Sequence, residues 1–294
     1  MFYRFLFVLF ISFNVWAQDS YIDYASPYHP TINQRGMVVS QNIDSSKIGI
    51  EILDMGGNAI DAAVAVGFSL AVTLPRAGNL GGAGFMLVYL KERDEIVAVD
   101  YLGSSPRNSN IQDLFGVKLP RNYEKADRDI VRYGYKASTV PGTVAGLLEA
   151  HANFGRLPLS SVLKPVIEQA RNGIKVSYDL YMALKSSSQL KRDKESRKIF
   201  FSNGSAAKEN TILTREDLAQ TLEKIAAEGK KGFYEGEVAQ KIVAAMHNNG
   251  GFVSLADLKN YKPRFSEPIR TAYRGHPIFA PRPPSGGAIV VLDA

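Results

Sequence analysis

The stretch "NAIDAAVAVGFSLAVTLPRAGNLGGAGFMLVYL", residues 58–90, decides how the chain can fold. Its first part is rich in alanine and apolar nearly all round, which predicts a helix over 58–72 that is buried in the middle of a layered domain. Its last part is a short apolar run typical of a β-strand. The turn between the two contains the glycines Gly78, Gly81, Gly82 and Gly84.

A glycine-rich turn can hold a phosphate, and two observations argue against that use here. A Walker loop continues with Lys and Ser or Thr, whereas Gly84 is followed by Phe85. A dinucleotide-binding loop follows a strand and precedes a helix, whereas this turn follows a helix and precedes a strand. We therefore expect the glycines to serve a tight turn rather than a nucleotide.

The elements around this stretch can be predicted from apolar patterns and from the residues that begin and end each of them. A short strand is expected over 37–41, followed by a helix over 45–55 with Asp44 as its N-cap. After the glycine turn, two apolar runs flank the charged sequence "KERDE". They predict a β-hairpin with strands over 84–90 and 96–101.

The second half of the chain has mainly helical patterns. Helices are predicted over 142–155, 158–173 and 214–229, the last with Thr214 as its N-cap, and a strand over 269–280. From the residues alone, the fold class is therefore α/β or α+β.

The composition excludes several classes of site. The chain has 294 residues, a formal net charge of +6 and no cysteine, so disulfides, thiolate metal sites and a cysteine nucleophile are excluded. The four histidines lack ligand-spaced partners, so no metal site and no cofactor are predicted. The basic cluster at 191–198 has no interleaved aromatic residues, which favours a solvated face over a nucleic-acid surface.

The two ends of the chain carry their own signals. Residues 1–17 have one basic residue, Arg4, and then a short apolar run, which predicts a cleaved signal peptide rather than a membrane anchor. Residues 18–35 are predicted to be an extended lead-in, and we expect the protein to be secreted or periplasmic. The pattern of the last residues is that of a helix cut short, so 36–294 is expected to be an incomplete domain.

Several stretches together resemble one known family. They are "GMVVSQ", "GGNAIDAAVA", "STVPGTVAGLLEAHANFGRLP", "GGFVSLADLKNYKP" and "YRGHPIFAPRPPSGG". In order and spacing they are similar to the large-subunit part of γ-glutamyltranspeptidases, from about residue 36 to the end of the chain.

That resemblance implies an α+β fold, the four-layer αββα sandwich of N-terminal-nucleophile hydrolases, of which this chain holds only the large-subunit part. It also implies a precursor that cleaves itself into a large and a small subunit. The new N-terminal threonine of the small subunit attacks a γ-glutamyl amide such as glutathione, without a cofactor. The acyl group then passes to water or to an amino acid.

Two departures from the family pattern limit what can be carried over. The nucleophilic threonine is absent from these residues, so no catalytic residue is assigned and this chain alone is expected to be inactive. The family also has an arginine two residues after the aspartate that ends the second hairpin strand, where it binds the substrate α-carboxylate. Here "VDYLGSSPR" places Leu102 at that position.

A leucine cannot bind a carboxylate, and several explanations stay open. Arg107 or another residue can substitute, or the substrate can lack the α-carboxylate, as for an acylase or amidohydrolase of the same family. A third alternative is a non-catalytic paralogue that acts as a binding or scaffold protein.

Overall fold

The computed structural model describes residues 32–109 and 133–287. Residues up to Met37 form a unit separate from the main body, which begins at Val38. The elements described below belong to the main body.

The predicted central helix is confirmed. Helix α1 (Ile43–Asp54) packs against helix α2 (Ala59–Thr73), and most α2 side chains are buried, among them Phe68. Small residues bring the two helices close together. A Cβ at Gly49 of α1 would lie only 2.8 Å from a methyl group of Val66 in α2. The alanine and glycine content of this region therefore serves close packing.

The start of α2 is tied to a distant part of the chain by one buried carboxylate. Asn58 and Asp61 form a capping box, and the Asp61 side chain is fully buried. Its oxygens also accept hydrogen bonds from the backbone N–H groups of Arg156, at 3.0 Å, and Leu157, at 3.3 Å. A buried carboxylate needs several donors, and these backbone groups supply them.

The predicted hairpin is confirmed and forms part of a three-stranded antiparallel sheet. Strand β1 (Phe85–Leu90) pairs with β2 (Glu95–Asp100), in the register Phe85↔Asp100. Strand β7 (Arg264–Ser266) pairs with the other edge of β2, in the register Asp100↔Arg264. The sheet order is β1-β2-β7.

The helices around α2 form the remainder of the core. Helix α3 (Thr143–Phe154) packs against α2 and β2, and helix α4 (Leu159–Asn172) packs against α2 and α8 (Glu216–Glu228). Leu163 in α4 and Leu222 in α8 are fully buried. The amphipathic pattern of α4 and α8 explains this placement, because each helix buries its apolar face.

The other α-helices and strands of the described residues are β3 (Ile174–Lys175), α5 (Tyr178–Ser186), α6 (Ser188–Arg192), α7 (Lys194–Phe200), β4 (Phe201–Ser202), β5 (Ser205–Ala206), β6 (Ile212–Leu213), α9 (Lys231–Tyr234), α10 (Gly236–Asn248), α11 (Leu255–Asn260), β8 (Ile269–Tyr273) and β9 (His276–Ala280). The basic residues of the 191–198 cluster lie on α6 and α7 and are exposed, as predicted.

Two predictions about the region before α2 are wrong. Residues 37–41 are not a strand, because within the described ranges no strand pairs with them, and Val39 is 83% exposed. The N-cap of α1 is Asn42 rather than Asp44. The Asn42 side chain accepts hydrogen bonds from the backbone N–H groups of Asp44 and Ser45, so Asp44 already lies in the first turn.

Two further predictions are corrected in the second half. Helix α8 has Arg215 rather than Thr214 as its N-cap, and the Arg215 backbone N–H bonds to Ala170 O, at 2.8 Å. The predicted strand over 269–280 is the hairpin β8–β9. Arg274 and Gly275 both have positive φ angles, of 49° and 81°. Two such residues suit a tight hairpin turn, and glycine adopts this conformation without strain.

The predicted signal peptide, most of the lead-in and most of the last predicted helix fall outside the described residues. Of the helices that are described, none combines the length and apolar character that crossing a membrane requires.

Candidate substrate-binding site

The candidate site is the loop that follows β2, and Asp100 organises its first residues. One Asp100 oxygen accepts the backbone N–H of Leu102, at 3.0 Å. The other accepts Nη2 of Arg264 from the neighbouring strand β7, at 2.6 Å. The Asp100 side chain is 15% exposed and that of Arg264 is 72% exposed. One carboxylate thus joins the backbone of residue 102 to an exposed guanidinium.

The glycine-rich turn is hydrogen-bonded to this loop and to the start of α3. Gly82 O accepts hydrogen bonds from the backbone N–H groups of Gly142, at 2.8 Å, and Thr143, at 3.1 Å, at the start of α3. Gly84 and Tyr101 exchange two backbone hydrogen bonds. Two backbone donors at the start of α3, which could otherwise bind an anion, are therefore occupied by the glycine-rich turn.

The chain must pass very close to the start of α3 at this point. A Cβ at Gly142 would collide with the carbonyl oxygen of Tyr101. A Cβ at Gly146, one turn later, would collide with the Tyr101 ring. The glycines of "PGTVAG" are therefore explained by the close approach of the loop that carries residue 102.

Two stacked tyrosines hold the loop and the helix together. The Tyr234 hydroxyl accepts the backbone N–H of Ala145, at 3.1 Å, and donates to Pro141 O, at 2.8 Å. Its ring lies parallel to that of Tyr261, with the centroids 6.0 Å apart. The Tyr261 hydroxyl donates to Leu102 O, at 2.7 Å. Both backbone groups of Leu102 are therefore occupied.

The electrostatics keep both tyrosines neutral. Burial raises the pKa of the Tyr234 hydroxyl far above its ordinary value. Burial also raises the pKa of Tyr261 to about 12, with a further contribution from the nearby negative charge of Asp100. Each hydroxyl therefore remains a hydrogen-bond donor at physiological pH and fixes the backbone rather than exchanging a proton.

Leu102 and Arg107, the two residues singled out from the sequence, lie in different surroundings. Leu102 is partly buried, and Arg107 is exposed. The Arg107 backbone N–H donates to Asp257 Oδ1, at 3.1 Å, where Asp257 forms a capping box with Ser254 at the start of α11. The structure thus brings Leu102 near Arg264 and places Arg107 at Asp257.

The ionisation of Asp257 follows from its contacts. Burial opposes the charged form, but hydrogen bonds from Ser254 and from the Arg107 backbone outweigh it and hold the pKa of Asp257 below its ordinary range. Asp257 is only 6% exposed. It is therefore a charged structural group that anchors the far end of the loop.

Sequence reasoning did not identify Arg264, Tyr261 or Tyr234. The first lies in "KPRFSEP" and has no local signal, since its role follows only from the pairing of β7 with β2. The tyrosines have a weak signal, because a buried tyrosine usually needs a hydrogen-bond partner.

Nothing in the described ranges gathers three or more histidine or acidic residues that could hold a metal ion. His151 has a structural role in α3, because its Nε2 lies 2.9 Å from Leu157 O and 3.4 Å from Asp61 Oδ1. A cavity of about 680 Å³ is lined by residues of the segment 133–138, of α6 and α7, and by Met246. It is separate from the loop after β2.

Solved structures match most of this chain. The γ-glutamyltranspeptidase of Helicobacter pylori superimposes with a TM-score of 0.80 at 35% sequence identity, over 88% of this chain and 73% of that one. Together with the mixed α+β architecture, this likeness shows the fold of N-terminal-nucleophile hydrolases, as the family resemblance implied.

The sequence comparisons are more specific. The family described as Gamma-glutamyltranspeptidase matches residues 45–294. The glutathione hydrolase proenzyme of Escherichia coli K12 is 38% identical over 90% of this chain and 45% of its own length. The acylase ACY 1 proenzyme of Pseudomonas sp. V22 is 35% identical over 92% of this chain and 49% of its own length.

The chain therefore belongs to the γ-glutamyltranspeptidase family, and the resemblance seen in its sequence is confirmed. It spans about half the length of the curated relatives that it matches.

Proposed function

We propose that the full-length protein is a γ-glutamyltransferase and glutathione hydrolase. It transfers the γ-glutamyl group of glutathione, or of a related amide, to water or to an amino acid. The observation that carries the proposal is the family match over residues 45–294, together with the 38% identity to a glutathione hydrolase proenzyme.

In the proposed mechanism, the chemistry is supplied by an N-terminal threonine that lies outside these 294 residues. Its hydroxyl attacks the γ-carbonyl carbon, and its own α-amine takes up the proton. The amine product leaves with a proton as the acyl-enzyme forms. Water or an amino acid then attacks the acyl-enzyme, and the threonine hydroxyl is restored.

The part of this chain in that mechanism is positioning. Asp100 and Tyr261 fix the backbone of residue 102, where the family pattern has its carboxylate-binding arginine. Because the backbone N–H and C=O groups of residue 102 are both hydrogen-bonded, this part of the loop has one geometry before a substrate binds. Binding then costs little conformational entropy of the loop, which favours affinity.

We also propose that the protein is secreted or periplasmic and works as two subunits cut from one precursor. Support comes from the apolar start of the sequence and from the proenzyme names of its relatives. The test is electrophoresis of the purified full-length protein over time. Two fragments that appear without added protease support self-cleavage, and a single band that persists contradicts it.

A second function has a specific observation in its favour. Leu102 cannot pair with a carboxylate, and a relative at 35% identity is an acylase proenzyme. The alternative is therefore an acylase or amidohydrolase whose acyl donor lacks the α-carboxylate.

One pair of substrates separates these functions. The full-length protein is incubated with γ-glutamyl-p-nitroanilide and with 4-aminobutanoyl-p-nitroanilide, which lacks the α-carboxylate. Preferred release of p-nitroaniline from the first supports the γ-glutamyl activity, and preferred release from the second supports the acylase. Protein that hydrolyses neither compound contradicts both and favours the non-catalytic paralogue.

A further inference from the structure

We propose that Arg264 binds the substrate α-carboxylate, in place of the arginine that is missing at position 102. This inference rests on the proposed γ-glutamyl activity. It assigns the substrate-binding cation to a strand distant in sequence from the loop that carries Leu102.

Strand register places Arg264 at the site. Asp100 and Arg264 are directly opposite each other in the β2–β7 pair, so their side chains project from the same face of the sheet. The Asp100 carboxylate binds Arg264 Nη2 with one oxygen and Leu102 N with the other. The guanidinium and the backbone of residue 102 therefore bind the same carboxylate.

The Arg264 side chain is also available for a ligand. It is 72% exposed, and its hydrogen bond to Asp100 uses only Nη2. A guanidinium has five N–H donors in a planar fork, so others remain to bind a substrate carboxylate. Asp100 is largely shielded, at 15% exposed, and holds the fork in one orientation.

Arg107 fits this role less well. Its backbone N–H is bound to Asp257, and its positive charge contributes to the lowered pKa of that buried carboxylate. Arg107 also follows the β-bridge between Ser104 and Val140 along the chain. It therefore lies outside the part of the loop that Asp100 and Tyr261 hold. Arg107 therefore supports the start of α11, and it is a matched control for the loss of one arginine from the same loop region.

The test uses the full-length, self-cleaved protein and two anilides. γ-Glutamyl-p-nitroanilide carries the α-carboxylate, and 4-aminobutanoyl-p-nitroanilide is the same compound without it. The variants are Arg264→Met, Arg264→Lys, Arg107→Met and the double variant Arg264→Met with Leu102→Arg. Cleavage into subunits is checked for each variant before kinetics.

We expect Arg264→Met to raise KM for the γ-glutamyl compound about 10- to 100-fold, as for the loss of a charge-assisted hydrogen bond. The kcat should change little, because the contact serves binding. KM for the aminobutanoyl compound should not change. Arg264→Lys should be intermediate, since lysine keeps the charge and loses the fork. Leu102→Arg should restore much of the affinity lost in Arg264→Met.

Equal effects of Arg264→Met on both compounds would overturn the assignment, because they would indicate a structural role. So would an increase in KM caused by Arg107→Met and not by Arg264→Met. If Arg264→Met fails to mature, the Arg264→Lys variant decides by the same comparison. Wild-type protein that cleaves neither anilide refutes the proposed activity itself and this binding role with it. Cleavage of the γ-glutamyl compound with unaltered KM in the Arg264 variants refutes only the role of Arg264.

Discussion

The Tyr234 hydroxyl offers the most direct test of how the site is held together. It is buried, at 1% exposed, and it satisfies both the N–H of Ala145 and the carbonyl of Pro141 at the start of α3. Tyr234→Phe keeps the ring and its stacking on Tyr261, so it removes these two hydrogen bonds and little else. The helix has no side-chain N-cap of its own, which makes this hydroxyl its cap.

The expected cost follows from those two contacts. Each of the two backbone groups left buried and unsatisfied costs roughly 1–3 kcal/mol, so we expect Tyr234→Phe to lower the free energy of unfolding by about 2–6 kcal/mol. The measurement is urea denaturation of the purified protein, with unfolding monitored by circular dichroism. Tyr178→Phe is the matched control, because Tyr178 is 62% exposed. If the two variants have the same urea midpoint, the hydroxyl does not cap α3.

Two further predictions concern the same loop. The pKa of Asp257 is lowered in the folded protein, so its contribution to stability is present at neutral pH and is lost as the pH falls below about 4, the ordinary value for Asp. Urea midpoints measured from pH 7 to pH 3 should fall less steeply for Asp257→Asn than for the wild type, and identical slopes would contradict the assignment. Gly142→Ala should destabilise the protein by at least about 2 kcal/mol, because its Cβ meets Tyr101 O, whereas Gly81→Ala has room for its Cβ and should stay within about 0.5 kcal/mol. Thermal unfolding of both variants checks this, and equal melting temperatures would show that the close approach at Gly142 is not needed.

Local pattern predicted most of the elements that position the site. The helix over 58–72 was correct to within one residue because Asn58 is a strong cap and the run that follows is apolar on all sides. The hairpin was correct because a charged turn separates two strand-like runs. The errors occurred where a neighbour decided the outcome. The run 37–41 has the composition of a strand, but a strand requires a pairing partner.

The site was predicted less completely than the fold. The sequence drew attention to Leu102 by comparison with a family pattern, and to Arg107 as one residue that can substitute for the missing arginine. It had no means of selecting Arg264, which is 164 positions away from Asp100. Similarly, the cap of α3 is supplied from 93 positions away by Tyr234.

The sequence by itself therefore determined the buried helix, the glycine turn, the hairpin and the family, because helix caps, apolar periodicity and glycine positions act over a few residues. Only the tertiary structure decided that β7 lies beside β2 and that a tyrosine from α9 caps α3. Such pairings depend on which surfaces are complementary once the chain is packed, and local sequence does not encode them. That is why the missing arginine at position 102 is visible in the sequence and its proposed replacement is visible only in the structure.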